Sequence, residues 1–189
     1  MPFLAVLARV PTDRMENHHA IAWLHVKAGP TTMFVRLATT ADAAAIAALN
    51  AHVQSIHADA FPWRFKQPSA RSPSGADIAR ILAQPNYFAF VAEMDGAPAG
   101  YLTAEIVRRD DTPFHFAYVY LHVHHIAVDP AARRQGIARA MMDAAKAHGA
   151  REGIEIMSLD VWDFNDAARA FFAGYGLVPA YLRLWNKTE

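Results

Sequence analysis

The spacing of apolar positions along this 189-residue chain changes several times. From Thr40 to about His57 an Ala-rich segment carries Ile46, Leu49, Val53 and Ile56 as one stripe at helical spacing, with Thr39 or Thr40 placed to cap it. Ser74 opens a shorter helical stretch through Ile78, Ile81 and Leu82, which Pro85 ends. The pattern then becomes that of strands, from Tyr87 to Met94 and from Ala99 to Val107, joined by the turn Asp95-Gly96-Ala97-Pro98 as a hairpin. A long strand follows from about Phe114 to Val128, then a helix from Ile137 to His148 with Gly149 as its stop signal. Ile154 to Trp162 reads as another strand, residues 165–174 as another helix, and Leu177 to Trp185 as a last strand. With Met33 to Leu37 as the first strand, this order predicts an α/β chain: a central mixed sheet flanked by helices, antiparallel early and with a parallel pair late.

Residues 1–32 stand apart, with scattered histidines, Pro11 and the break Ala28-Gly29-Pro30 but no sustained period. The expectation is a poorly ordered or loosely packed extension over 1–32, with Met33 as an alternative start, and one folded domain over 33–189. Phe3 to Val10 is apolar but short and lacks a basic leader, which argues against a secretory signal. His18 and His19 alone make no metal site.

Composition narrows the function classes. Eighteen basic residues balance eighteen acidic ones without a long single-sign run, which argues against a nucleic-acid partner. No apolar stretch is long enough for a bilayer, so no membrane partner is expected. The chain has no cysteine, which excludes disulfides, thiolate metal sites and cysteine nucleophiles and fits a cytoplasmic location.

The most telling segment is Val128-Asp129-Pro130-Ala131-Ala132-Arg133-Arg134-Gln135-Gly136-Ile137-Ala138. It reads as a strand end, a polar turn and a helix opening on small residues. Such a turn aims several backbone N–H groups at one point, where an anion is favoured. Gly136 removes a side chain that would block a phosphate, and Ala138 keeps the next turn thin.

The pattern Arg133-x-x-Gly136-x-Ala138 resembles the acetyl-CoA signature of the GNAT superfamily of N-acetyltransferases. Asn165-x-x-Ala168-x-x-Phe171-Phe172-x-x-Tyr175-Gly176-Leu177 resembles the same superfamily's final helix and turn. The resemblance covers roughly residues 33–189 and implies a GNAT-like fold. It implies that the loop residues Arg134, Gln135, Gly136, Ile137 and Ala138 hold the CoA pyrophosphate, with Arg133 and Arg134 as candidate phosphate contacts. It also implies that the backbone of Ile126, Ala127 and Val128 pairs with pantetheine like an added strand. The parallel strands would splay at about 122–128 and 156–162 to admit the thioester. Asn165 would bind the cofactor arm, cap the last helix, or do both. Homodimers are common in the superfamily, which leaves a homodimer open here.

Acetyl transfer to an amine needs a base, because an ammonium must lose a proton before it attacks. The strand Tyr120-Leu121-His122-Val123-His124-His125 places His122 and His124 on one face, with His125 pointing the other way. In some members of the superfamily two such histidines relay the amine proton; in many others a glutamate stands at the position of His122. The alternatives are partly buried strand histidines, or two ligands of a zinc site for which no third ligand is evident, so no metal is expected. The tyrosine that commonly protonates the leaving thiolate is replaced by Phe172, a residue able to pack on pantetheine. Tyr175, one turn on, is a candidate donor or a core tyrosine. Phe61, Trp63 and Phe65, in the segment between the first two helices, are candidate acceptor contacts, and Glu105 is a candidate attractor of an ammonium.

The leading reading is an acetyl-CoA-dependent N-acetyltransferase acting on a small-molecule or peptide amine by direct attack in a ternary complex. The second is an acyl-CoA-binding sensor without effective chemistry, motivated by Phe172. A dinucleotide-dependent oxidoreductase fits poorly, since the loop lacks the three-glycine fingerprint and follows a hairpin.

Overall fold

The computed structural model describes residues 24–28, 31–69 and 73–186. Six strands form one sheet in chain order: β1 (Leu24–Ala28), β2 (Thr31–Leu37), β3 (Tyr87–Met94), β4 (Ala97–Arg109), β5 (Tyr118–Val128) and β6 (Met157–Leu159). All neighbours are antiparallel except β5 and β6, which run parallel. The described residues also form the helices α1 (Ala43–Ala60), α2 (Gly75–Leu82), α3 (Ile137–Arg151) and α4 (Asp166–Tyr175).

Alternation along β3 and β4 divides the core in two. Ala89, Val91 and Tyr101 turn to one face, where Ala43, Ile46 and Leu49 of α1 and Ile78 of α2 cover them. Phe90, Ala92, Leu102 and Ala104 turn to the other, against Ile137, Met141, Met142 and Ala145 of α3 and Phe172 of α4. A strand buried on both faces must be apolar throughout, as the middle of β3 is. Inside the first face the Tyr101 hydroxyl accepts from Asn50 Nδ2 of α1, so two buried polar groups satisfy each other. The start of α1 is tied to the sheet by Arg36 of β2, whose guanidinium binds Asp42 and Glu93 at 2.7 Å each. Asp42 also accepts from the Thr39 backbone N–H, closing the turn before the helix.

Several boundaries differ from those read off the sequence. β1 lies inside the segment set apart as an extension, yet Leu24 to Ala28 pair with Val35 to Thr31, so the sheet begins before Met33. Residues 1–23, which hold the His18-His19 pair, lie outside the described residues. β5 starts at Tyr118 rather than Phe114, and β6 has three residues instead of nine. α3 runs past Gly149 to Arg151, because Gly149 is a packing position against Leu121 and Ile154 rather than a stop. The last expected strand is absent, since residues 177–186 pair with no neighbour and leave Leu182 and Leu184 exposed. Apolar alternation is a tendency that makes a strand only when a partner pairs with it.

Packing is close where β4, β5 and α3 meet. A Cβ on Gly100 would stand 2.9 Å from the Ala127 carbonyl oxygen and 3.1–3.2 Å from Met141 and Ile137. Gly100→Ala should therefore lower unfolding stability by about 1–3 kcal/mol. Chemical denaturation checks this, and a variant as stable as the parent would contradict the close approach.

Candidate active site

The turn after β5 is built by its own side chains. Asp129 Oδ1 accepts from the Ala131 N–H at 2.8 Å, and residues Pro130–Ala132 form a single 3-10 turn. Arg134 and Gly136 then take positive φ values of +66° and +83°. The first intrahelical bond of α3 runs from Ala140 N–H to Gly136 carbonyl. The N–H groups of Ile137, Ala138 and Arg139 thus have no acceptor within the helix, at its positive end. Nothing lies within 4 Å of where a Cβ of Gly136 would be, so an anion can approach this backbone. Arg134 and Gln135 are exposed, and Arg133 Nε donates to the Val128 carbonyl at 3.3 Å.

The parallel pairing of β5 and β6 covers only Leu121↔Met157, His122↔Ser158 and Val123↔Leu159. Beyond it the strands part, leaving an open cleft of about 80 Å³. Residues 123–126 form one wall and 159–162 the other, with Asn165, Ala168 and Phe172 of the α4 segment also lining it. Ile126, Ala127 and Val128 remain paired to β4 but have no partner on the β6 side. Asn165 caps α4 by accepting from the Ala168 N–H at 3.1 Å while also facing the cleft.

A bulge in β5 arranges the histidines. Ala104 pairs with Val123 and the next residue, Thr103, with His125, which leaves His124 as one residue too many. His122, opposite Glu105, and His125, opposite Thr103, consequently share a face. This corrects the expectation that His125 points away from the other two: strict alternation holds only in an unbulged strand. His124 Nε2 lies 2.9 Å from Glu105 Oε2, its ring stacks on Tyr87 at 4.9 Å, and the His122 ring meets it edge-on at 4.7 Å. A carboxylate oxygen accepts in such a contact, so His124 donates to Glu105 through Nε2 and leaves Nδ1 as its other ring nitrogen. His122 Nδ1 is 3.0 Å from Ser158 Oγ on β6.

Burial, and then the adjacent His124, hold His122 below the ordinary histidine value, with Asp160 and Glu105 acting in the opposite sense. Burial lowers His57 as well. His125 is pulled down by the protein around it and by His124 and His57, although its exposure to the cleft lets water limit the shift.

Aromatic side chains from three segments meet beside the histidines. Phe61 lies 5.0 Å from Trp162 and 5.5 Å from Trp185, Trp63 lies 5.1 Å from Trp185, and Phe65 lies 5.5 Å from Trp162. His57 of α1 stacks on Phe65 at 5.2 Å.

The structure thus brings together the expected His122, His124, Ile126, Asn165, Phe172, Phe61 and Phe65, and sets the loop 133–138 at the start of the adjoining helix. It does not bring Tyr175 to the cleft: its hydroxyl donates to Asp143 of α3 at 2.8 Å, and burial followed by that bond raises its pKa. Glu105, the candidate attractor of an ammonium, is hydrogen-bonded to His124 and Asn86. Sequence reading missed His57, Tyr87, Trp162 and Trp185. His57 follows Val53 by one helical turn, a signal that was available; the others become neighbours only through the fold. Among the described residues, no three His, Cys, Asp or Glu side chains group to hold a metal ion, and no helix is long and apolar enough to cross a membrane.

A model of the acetyltransferase (GNAT) family matches residues 50–177, and the chain belongs to that family. No curated protein matches it. Solved structures do: a tetramutant of the BH1408 protein from Bacillus halodurans superposes with a TM-score of 0.77 at 19% identity, covering 82% of this chain and 99% of that one. The aminoglycoside N-acetyltransferase AAC(6')-Iy in complex with CoA gives 0.65 at 19% identity, over 86% and 99% of the two chains. A transcriptional regulator from Bacillus halodurans C-125 gives 0.63 at 17%, over 82% and 99%. At these identities the likeness is one of fold.

The depressed histidines make a stability prediction. A base with a lowered folded pKa binds fewer protons folded than unfolded, so its contribution is fully present above about pH 6.5 and is lost as pH falls. The thermal midpoint should drop between pH 7 and pH 5, and the double variant His57→Gln, His122→Gln should flatten that slope. Calorimetry across this window checks it; a midpoint that rises on acidification would contradict the assignment.

Proposed function

We propose that this chain transfers the acetyl group of acetyl-CoA to a primary amine by direct attack within a ternary complex. The observation that carries the reading is the cleft where β5 and β6 part, with His124 on its wall and the open N–H groups of α3 beside it. In this reading the backbone of Gly136, Ile137 and Ala138 holds the pyrophosphate, aided by Arg133, Arg134 or both. The unpaired side of Ile126, Ala127 and Val128 receives the pantetheine arm as a strand would. Phe172 packs on that arm, and Asn165 offers it a side-chain amide.

His124 is the residue best placed to take the proton of the incoming ammonium, through Nδ1. Glu105 fixes its tautomer and balances the imidazolium that forms. His122 is kept neutral near pH 7 and can pass the proton on toward Ser158. The free amine then attacks the thioester carbonyl, the C–N bond forms and the C–S bond breaks. The thiolate takes up a proton as the amide nitrogen loses one. Tyr175 is tied to Asp143, so water is the donor that this site offers.

Phe172 in place of a proton donor favours a second reading, an acyl-CoA sensor that binds without turnover. The two separate in one set of measurements. His124→Ala should lower kcat/KM for the amine by about 10²–10⁴-fold near neutral pH. Its dissociation constant for acetyl-CoA should stay close to that of the parent. Unchanged turnover would remove His124 from the chemistry, and tight acetyl-CoA binding without acetylation of any amine would favour the sensor. Gly136→Val puts a branched side chain at a positive φ and over the open backbone, and should weaken acetyl-CoA binding at least about tenfold by calorimetry. Undiminished binding would move the pyrophosphate elsewhere.

A further inference from the structure

The acceptor side of the cleft is walled mainly by aromatic rings, with Asp160 as its carboxylate. Trp162 lines the cleft two residues from Asp160, and Phe61 and Phe65 pack against its ring. Trp63 and Trp185 extend the same wall outward, 55% and 49% exposed. Such a surface offers flat apolar area and ring edges, which favour another ring in offset or edge-on contact.

The carboxylate beside His124 is already engaged, and two others at the rim have partners on the protein surface. Glu105 is bound by His124 and Asn86, Asp59 accepts from Gln67, and Asp163 pairs with Arg169. Asp160 is the carboxylate on the cleft wall. The cation at the mouth belongs to the chain: the Arg64 guanidinium lies 5.2–5.6 Å from the ring centres of Phe65, Trp162 and Trp185. An acceptor bearing several ammonium groups would meet this positive charge at the mouth of the cleft.

Resting on the acetyl-transfer reading, we propose that the acceptor is a small monoamine carried on a flat aromatic body. Its ring lies along the wall of Phe61, Trp63 and Trp162, and its amino group reaches His124 at the thioester end. Trp63 is then a specificity-determining residue.

The test uses the full chain saturated with CoA for binding and with acetyl-CoA for turnover. The probes are 2-phenylethylamine, n-butylamine and an aminoglycoside. Calorimetry should give 2-phenylethylamine an affinity at least ~10-fold above either of the others. In Trp63→Ala the ratio of phenylethylamine to butylamine affinity should fall about tenfold, and Trp63→Phe should restore most of it. An aminoglycoside bound as tightly as the aryl amine, or a ratio that Trp63→Ala leaves unchanged, would overturn the proposal. Thiol release reads the underlying activity separately. Aryl-amine binding with no thiol release keeps the ring site and removes acetyl transfer; thiol release with the aminoglycoside alone keeps acetyl transfer and removes the ring site.

Discussion

Between Ala104 and Thr103 of β4, the facing strand carries three residues where antiparallel pairing takes two. The extra residue, His124, brings His122, His124 and His125 to one face of the sheet and ends the regular stretch of β5. Pairing with β6 stops at the same level, at Val123 and Leu159. A strand that bulges also twists more sharply, and a parallel neighbour three residues long cannot follow it. The cleft, the histidine cluster and the unpaired edge at residues 126–128 all begin at this one irregularity.

The rest of the molecule holds that irregularity in place. α3 is pressed onto β4 and β5 at Gly100, and Ile137 at its first turn is buried in the same contact. The end of the helix that carries the open N–H groups is therefore anchored to the strand that carries the histidines. On the opposite face α1 brings His57 to the wall of the cleft, and α1 is fixed by Asn50 on Tyr101 and by the Arg36 ion pairs. The turn before α3, the histidines and the aromatic wall thus come from separate stretches of chain held together by two packed layers.

The sequence carried the class of fold and the turn that opens α3 well, for local reasons. A strand end, a turn with Gly136 and a helix start form a contiguous signal, and the family match over residues 50–177 agrees with it. The orientation of His125 was out of reach because a bulge is set by pairing with β4, and the spacing of histidines in one strand does not contain it. Trp162 and Trp185 are far from Phe61 in the chain, and nothing local marks them as neighbours. Leu177 to Trp185 shows the converse: a good strand pattern that takes no partner, although the outer side of β6 is open. The pairing of β1 with β2 was hidden by the Gly29-Pro30 break, which reads as a boundary though strands pair on either side of it.

The central claim is that thioester and amine meet where β5 and β6 part. A crystal structure of the chain with a bisubstrate conjugate, CoA joined through an acetyl linker to 2-phenylethylamine, tests it most directly. The account expects the pyrophosphate on the N–H groups of residues 136–138, the sulfur between residues 124–126 and 160–162, and the amine nitrogen within hydrogen-bond reach of His124. A pyrophosphate bound away from the start of α3, or a sulfur outside the cleft, would contradict it.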